Sequence, residues 1–285
     1  MSHFEVNTDI SKPIKIIDCF IFYNELDLLT YRLNILNDVV DYFIIVESRH
    51  TFIGKEKPLI FNENKDLFEK FNDKIIHIIV DDFPYKYPNI NISKSEQWKN
   101  EHFQRDQIKR GLETIKLNDS DIIIITDVDE IPDPNTLLKI KNKEIKIDIS
   151  VLKMDFYYYN LNTKIFKIWY FARILSFKKY NELSLSCNSI RFYNNCNVVN
   201  NGGWHLSYFG DSKFIKNKIE QFSHQEYNND NYTSIEKIEE RVNNFSDLYD
   251  RNNDIVKIMK ISIKDNHYLP PEYEKYLSNF IVINE

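Results

Sequence analysis

The apolar positions of this chain change period several times, and each change marks an element. Residues 14–22 form a nearly unbroken apolar run, from Ile14 to Phe22, which predicts a strand covered on both faces. Leu28, Leu29, Leu33 and Leu36 then recur at helical spacing and predict a helix over 25–36. The alternation repeats. A second strand covers 42–46 and ends in Glu47-Ser48, a loop with Gly54 and Pro58 covers 51–61, and a short helix covers 65–71. A third strand at 74–80 ends in Asp81-Asp82. The longest helix signal, 93–115, opens on Ser93 or Ser95 as N-cap, and a fourth strand follows at 122–125. Strands alternating with helices, each strand apolar on both faces, predict an α/β fold: a mostly parallel sheet with helices on both sides.

Past residue 145 the pattern becomes richer in strands. A long strand is expected at 150–160, strand-like pieces at 166–177, 189–193 and 204–209, and helices at 212–222 and 234–248. Neither an internal repeat nor a low-complexity linker interrupts the chain. One domain over 14–285 is expected, with functional halves at 14–145 and 146–285, after a polar, flexible N-terminal segment at 1–13.

A net charge of −6 argues against nucleic acid as a partner. Cys19, Cys187 and Cys196 are odd in number and lack metal-ligand spacing, so a reducing compartment is the simplest reading; a Cys187–Cys196 pair is the alternative in a secreted form. With no spanning apolar run and no signal peptide before Lys12, the expectation is a soluble cytoplasmic protein, peripheral to a membrane only if its substrate is lipid-linked. The five glycines form neither G-x-G-x-x-G nor a P-loop, so a nucleotide must be held by another device.

That device is expected at the end of the fourth strand. Ile122 to Ile125 run into Thr126-Asp127-Val128-Asp129-Glu130-Ile131-Pro132. Extended backbone puts Asp127 and Asp129 on one side, at the sheet edge where open α/β folds bind ligands. Two hard oxygen donors suit Mg²⁺ or Mn²⁺ already carrying a diphosphate. A solvated polar turn is the alternative, and the apolar run before the acids with Glu130-Ile131-Pro132 after them favours a metal–phosphate site. Asn24-Glu25, Glu47-Ser48 and Asp81-Asp82 end the other strands in the same way. His102 and Arg105 share one helix face, where a cation could neutralise phosphate. Gly202, Gly203 and Gly210 cluster around Trp204 and His205, which suggests a tight turn or close backbone approach to a ligand, with Trp204 stacking on a sugar and His205 on metal or phosphate. Phe156 to Tyr159, with Trp169 and Tyr170, are core residues or sugar platforms.

In combination, several strings resemble glycosyltransferase family 17, which includes the β-1,4-mannosyl-glycoprotein β-1,4-N-acetylglucosaminyltransferases. They are Phe22-Tyr23-Asn24-Glu25, Tyr42 to Ser48, His102-Phe103-Gln104-Arg105, Asp127 to Pro132, Gly203-Trp204-His205-Leu206-Ser207-Tyr208-Phe209, and Phe222-Ser223-His224-Gln225-Glu226. The resemblance implies a GT-A-type Rossmann-like fold with a β-rich acceptor half, a UDP-sugar donor, Mn²⁺ or Mg²⁺, and inversion at the anomeric carbon. It places Asp127 and Asp129 at the metal–diphosphate, Glu25 and Glu47 near the nucleoside, and His205 at the metal or donor phosphates; Arg105 and Trp204 join the expected donor site. A carboxylate would deprotonate a glycan hydroxyl, and Asp155 and Glu226 are the candidates. The donor sugar implied is GlcNAc. Two alternatives stand beside this reading. One is a binding module that holds glycans or nucleotide sugars without turnover. The other is a D-x-D phosphatase, which would need the motif near the first strand and Thr or Val where Ile131 stands.

Overall fold

Strand β1 (Ile16–Phe22) has all seven residues buried, and its alternate side chains enter two different cores. The computed structural model describes residues 13–251 and 256–282, so the expected flexible segment 1–13 lies outside the described residues except for Pro13. On one face Ile16, Phe20 and Phe22 pack with Leu28, Leu29, Leu33 and Leu36 of helix α1 (Leu26–Leu36). On the other face Ile17, Cys19 and Ile21 pack with Ile108 and Leu112. A strand that is apolar at every position but Asp18 satisfies both layers at once, which is why its sequence shows no alternation.

β1 pairs in parallel with β2 (Tyr42–Ser48) and with β4 (Ile122–Asp127), and β2 pairs in parallel with β3 (Ile75–Val80). The helix signal at 93–115 is broken. A 3-10 turn at Ile92–Lys94 leads into α2 (Glu96–Asp106), and a separate turn covers Ile108–Leu112. The Gln107 N–H divides itself between the Phe103 and Gln104 carbonyls, which tightens the backbone there. Ser95 sits at the N-terminus of α2 with φ of 56°, and its hydroxyl caps nothing.

The remainder departs from the mostly parallel expectation. After β4 come β5 (Glu130–Pro132), α3 (Pro134–Lys141), β6 (Ile149–Tyr158), β7 (Thr163–Trp169), β8 (Arg173–Ser176), α4 (Cys187–Arg191), β9 (Asn197–Ser207), α5 (Ser212–Gln221) and β10 (Ile258–Lys260). The sheet order is β10-β7-β6-β8-β4-β1-β2-β3, with β9 lying between β6 and β5. β8 runs antiparallel to β4 and to β6, so the sheet is mixed. Apolar runs report burial and carry no strand direction, which explains the difference. The piece at 166–177 is two strands. The piece at 189–193 is largely helix α4, whose N-cap Ser186 accepts from the Ser189 N–H. β9 begins at Asn197, ahead of the expected 204, because much of its first part is exposed and polar. α3 was not expected, although Asp133 caps it through the Asn135 N–H and Pro134 opens it. The three cysteines are free, so Cys187 and Cys196 do not pair. No helix among the described residues is long and apolar enough to cross a membrane.

The glycine cluster serves strand-to-strand contact. Gly203 pairs with Pro132, and a Cβ there would lie 2.0 Å from the Ile131 carbonyl oxygen, at φ of 130°. A Cβ at Gly202 would lie 2.6 Å from the Lys153 backbone nitrogen. The backbone that approaches is β5 and β6, where a ligand was expected. Gly203→Ala is expected to unlatch β5 from β9 and to destabilise the fold by about 3 kcal/mol or more. A urea-unfolding midpoint equal to the parent's would refute this.

Candidate active site

The turn after β4 is held from beneath. Arg32 on α1 and Asp18 on β1 are both fully buried and joined by two hydrogen bonds of 2.8 and 2.6 Å. The Arg32 Nη1 group then donates to the carbonyls of Asp127, Val128 and Glu130 at 2.9, 3.1 and 2.8 Å, and Nη2 donates to the Thr126 hydroxyl. One planar guanidinium thus fixes the backbone that carries both acids. Glu130, also fully buried, accepts from Arg191 at 2.7 and 2.5 Å, from the Trp169 indole at 2.6 Å and from the Asp127 N–H at 3.0 Å.

Both acids carry cationic partners. Asp127 meets Arg105 at 3.0 Å and Arg191 at 2.8 Å. Burial alone would raise its carboxyl, but Arg191 and Arg105 outweigh burial and hold it below the usual range. Asp129 meets Lys218 of α5 at 2.9 Å and faces His205 Nε2 at 3.7 Å. Burial again opposes ionisation, yet Lys218 first and His205 second hold this carboxyl well below the ordinary range. Lys218 also lies 3.4 Å from Glu25 and 5.6 Å from the Tyr208 ring. Burial pulls its ammonium down, and Asp129 with Glu25 more than reverses that. α5 is itself anchored, since the Tyr23 hydroxyl donates to Asn217 at 2.8 Å. Glu25, Glu101, Asp127, Asp129 and Glu130 thus form one ion-pair network with Arg105, Arg191 and Lys218.

These groups border a cavity of about 460 Å³. Its lining is both charged, with Glu25, Asp127, Asp129, Arg191 and Lys218 among others, and aromatic, with Phe156, Tyr158, Trp169, Tyr208 and Tyr227. The two sets adjoin: Lys218 lies over the Tyr208 ring. His205 is stacked on Phe156 at 4.6 Å and 10°, and its ring centre lies 4.1 Å from that of Trp169. Its Nδ1 is buried without a hydrogen-bond partner among the described residues.

The structure brings some expected residues together and separates others. Asp127, Asp129, Glu25 and His205 all border the cavity. Arg105 lies behind Asp127, held by Glu101 at 2.9 Å and Asn188 at 2.6 Å. Glu47 is away from it: its carboxylate accepts from the Phe61 and Asn62 N–H groups and meets His77 at 3.0 Å, which secures a loop. Trp204 is in the core, its indole donating to the Tyr268 carbonyl. Asp155 is paired with Lys164, on the face of β6 opposite Phe156. Glu226 is exposed and pairs with His224 at 2.6 Å; it is His224 that borders the cavity.

Among the described residues no three His, Cys, Asp or Glu side chains converge as a complete ligand set. A Mg²⁺ or Mn²⁺ site needs less, since such ions take one or two carboxylates and draw their other ligands from phosphate and water. The hard carboxylate oxygens of Asp127 and Asp129, both bordering the cavity, fit an ion of that kind. Arg32, Arg191 and Lys218 were missed from sequence, and Glu130 was read only as part of the motif. Of the three cations, Lys218 alone gave a signal: it lies between the buried Ile215 and Ile219 on α5.

A family profile described as glycosyltransferase family 17 matches residues 4–260. The chain is 32% identical to the beta-1,4-mannosyl-glycoprotein 4-beta-N-acetylglucosaminyltransferases of Rattus norvegicus and Homo sapiens, each over 133 residues. The Mus musculus protein of that name is 31% identical over 133 residues. Each match covers 45% of this chain and 24% of the relative, so it spans about a quarter of the relatives' length.

Proposed function

We propose that this chain, which belongs to glycosyltransferase family 17, transfers a sugar, most simply GlcNAc, from a UDP-sugar to a glycan hydroxyl with inversion. The observation that carries this reading is the pair Asp127 and Asp129, fixed at the C-terminal edge of β4 and opening on a cavity lined by charged and aromatic side chains. The charged groups suit a diphosphate with its cation, and the aromatic faces suit flat rings of nucleoside and sugar. We read the parallel strands β3-β2-β1-β4 as the donor half of a GT-A-type fold over 14–145, and 146–285 as the acceptor half.

Asp129 and Asp127 would hold the divalent ion, which supplies Lewis-acid stabilisation to the departing UDP. The chain's own part is positional. Arg32 keeps the two acids at a fixed height, and Arg105 and Arg191 keep Asp127 ionised and oriented. The stacked His205 closes the cavity beside Asp129. Neither Asp155 nor Glu226 borders the cavity, so we assign deprotonation of the acceptor to neither.

The test is UDP release from a panel of UDP-sugars with Mn²⁺, Mg²⁺ or EDTA and no acceptor. Slow hydrolysis of UDP-GlcNAc that EDTA stops is expected. Nucleotide binding without hydrolysis of any donor would favour a binding module, and absence of both would overturn the donor site.

A further inference from the structure

Three cations pair with Asp127 and Asp129 in the proposed donor site, and one of them is placed differently from the other two. Arg105 is tied to Glu101 and Asn188 as well as to Asp127, and Arg191 is tied to Glu130 by two hydrogen bonds. Those additional partners, of which Asn188 and Glu130 lie outside the cavity lining, anchor both guanidiniums, although Arg191 itself borders the cavity. The partners of Lys218, by contrast, are Asp129, Glu25 and the Tyr208 ring, and all three border the cavity. Its ammonium is a point charge on a flexible stem, able to change partner without moving α5. We propose that Lys218 is the exchangeable counter-ion of Asp129, holding that carboxylate in the donor-free protein and passing to the donor's diphosphate when a divalent cation takes its place. This inference rests on the donor reading above.

The argument is electrostatic. An ammonium 2.9 Å from an Asp129 oxygen and a divalent ion on the same carboxylate repel each other strongly in a buried site, so the two compete. Without donor, a displaced Lys218 keeps Glu25 as its other carboxylate partner among the described residues. With donor, the phosphate oxygens receive it in a charge-assisted hydrogen bond. Metal and nucleotide therefore bind together, and each binds weakly alone.

The probes are Mn²⁺ alone and UDP in the presence of Mn²⁺, titrated into the full chain by calorimetry. Lys218→Gln keeps a hydrogen bond to Asp129 and removes the competing charge. It is expected to tighten Mn²⁺ binding to the nucleotide-free protein by about tenfold and to weaken UDP by about tenfold. Lys218→Arg retains the charge and is expected to keep Mn²⁺ affinity at the parent's value. A lysine that merely supports the fold would not tighten the metal, so unchanged or weaker Mn²⁺ binding in Lys218→Gln overturns the inference. Should that variant fail to fold, the parent decides: Mn²⁺ bound equally tightly with and without UDP also overturns it. Failure of the parent to bind UDP under any condition removes the donor reading itself, and the inference with it. UDP binding with unaltered metal affinity in Lys218→Gln removes the inference alone.

Discussion

Asp129→Asn is expected to lower UDP release from the donor by about 10²–10³-fold while the protein stays folded. The substitution keeps the shape of the side chain and takes away its charge. Asp129 has the more cavity-facing partners of the two acids: Lys218 at 2.9 Å and His205 at 3.7 Å, both bordering the cavity. With asparagine there, the charge that retains a divalent ion is halved, and Lys218 keeps Glu25 as its remaining carboxylate partner. The backbone of the turn is unaffected, since Arg32 holds it through carbonyls. Turnover and melting temperature measured on the same preparation separate the two effects. Turnover within tenfold of the parent's, with metal dependence retained, would remove Asp129 from the site.

Arg32→Met should be the most damaging substitution to stability. It leaves the buried Asp18 carboxylate without its partner and takes the shared donor from three carbonyls. Breaking a buried ion pair by removing one member costs about 3–5 kcal/mol, and the orphaned carbonyls add to that. Total stabilities are about 5–15 kcal/mol, so little folded protein is expected at 37 °C. Arg32→Lys is expected to rescue poorly, because an ammonium cannot span the carboxylate and the carbonyls together. Urea unfolding of both variants checks this; a loss below about 1 kcal/mol for Arg32→Met would show that the network contributes little.

Much of this was legible in the sequence, for identifiable reasons. Strands β1, β2 and β4 declared themselves because covering on both faces makes nearly every position apolar. Asp127 and Asp129 stood out because two acids one residue apart follow the run and Glu130-Ile131-Pro132 closes it. Strand direction was hidden, and β5 is too short for any periodic signal. One misplacement was avoidable. Trp204 and His205 are consecutive in β9, and extended backbone sends neighbours to opposite faces. Only one of them could enter the cavity, and it is His205. The same rule separates Asp155 from Phe156 on β6, which pair across with Trp204 and His205 in turn. Arg191 and Arg32 were invisible because each looks like an ordinary surface cation until long-range packing buries it beside an acid.

The grip of Arg32 on the turn has a consequence for how this site can change. It holds main-chain oxygens, which every residue type carries, so the geometry of the turn is insured separately from its chemistry. Position 129 can therefore be exchanged as a module, by selection or by an engineer, with the scaffold left standing. New ion or donor preferences can be explored there one side chain at a time, each variant inheriting a platform already in place.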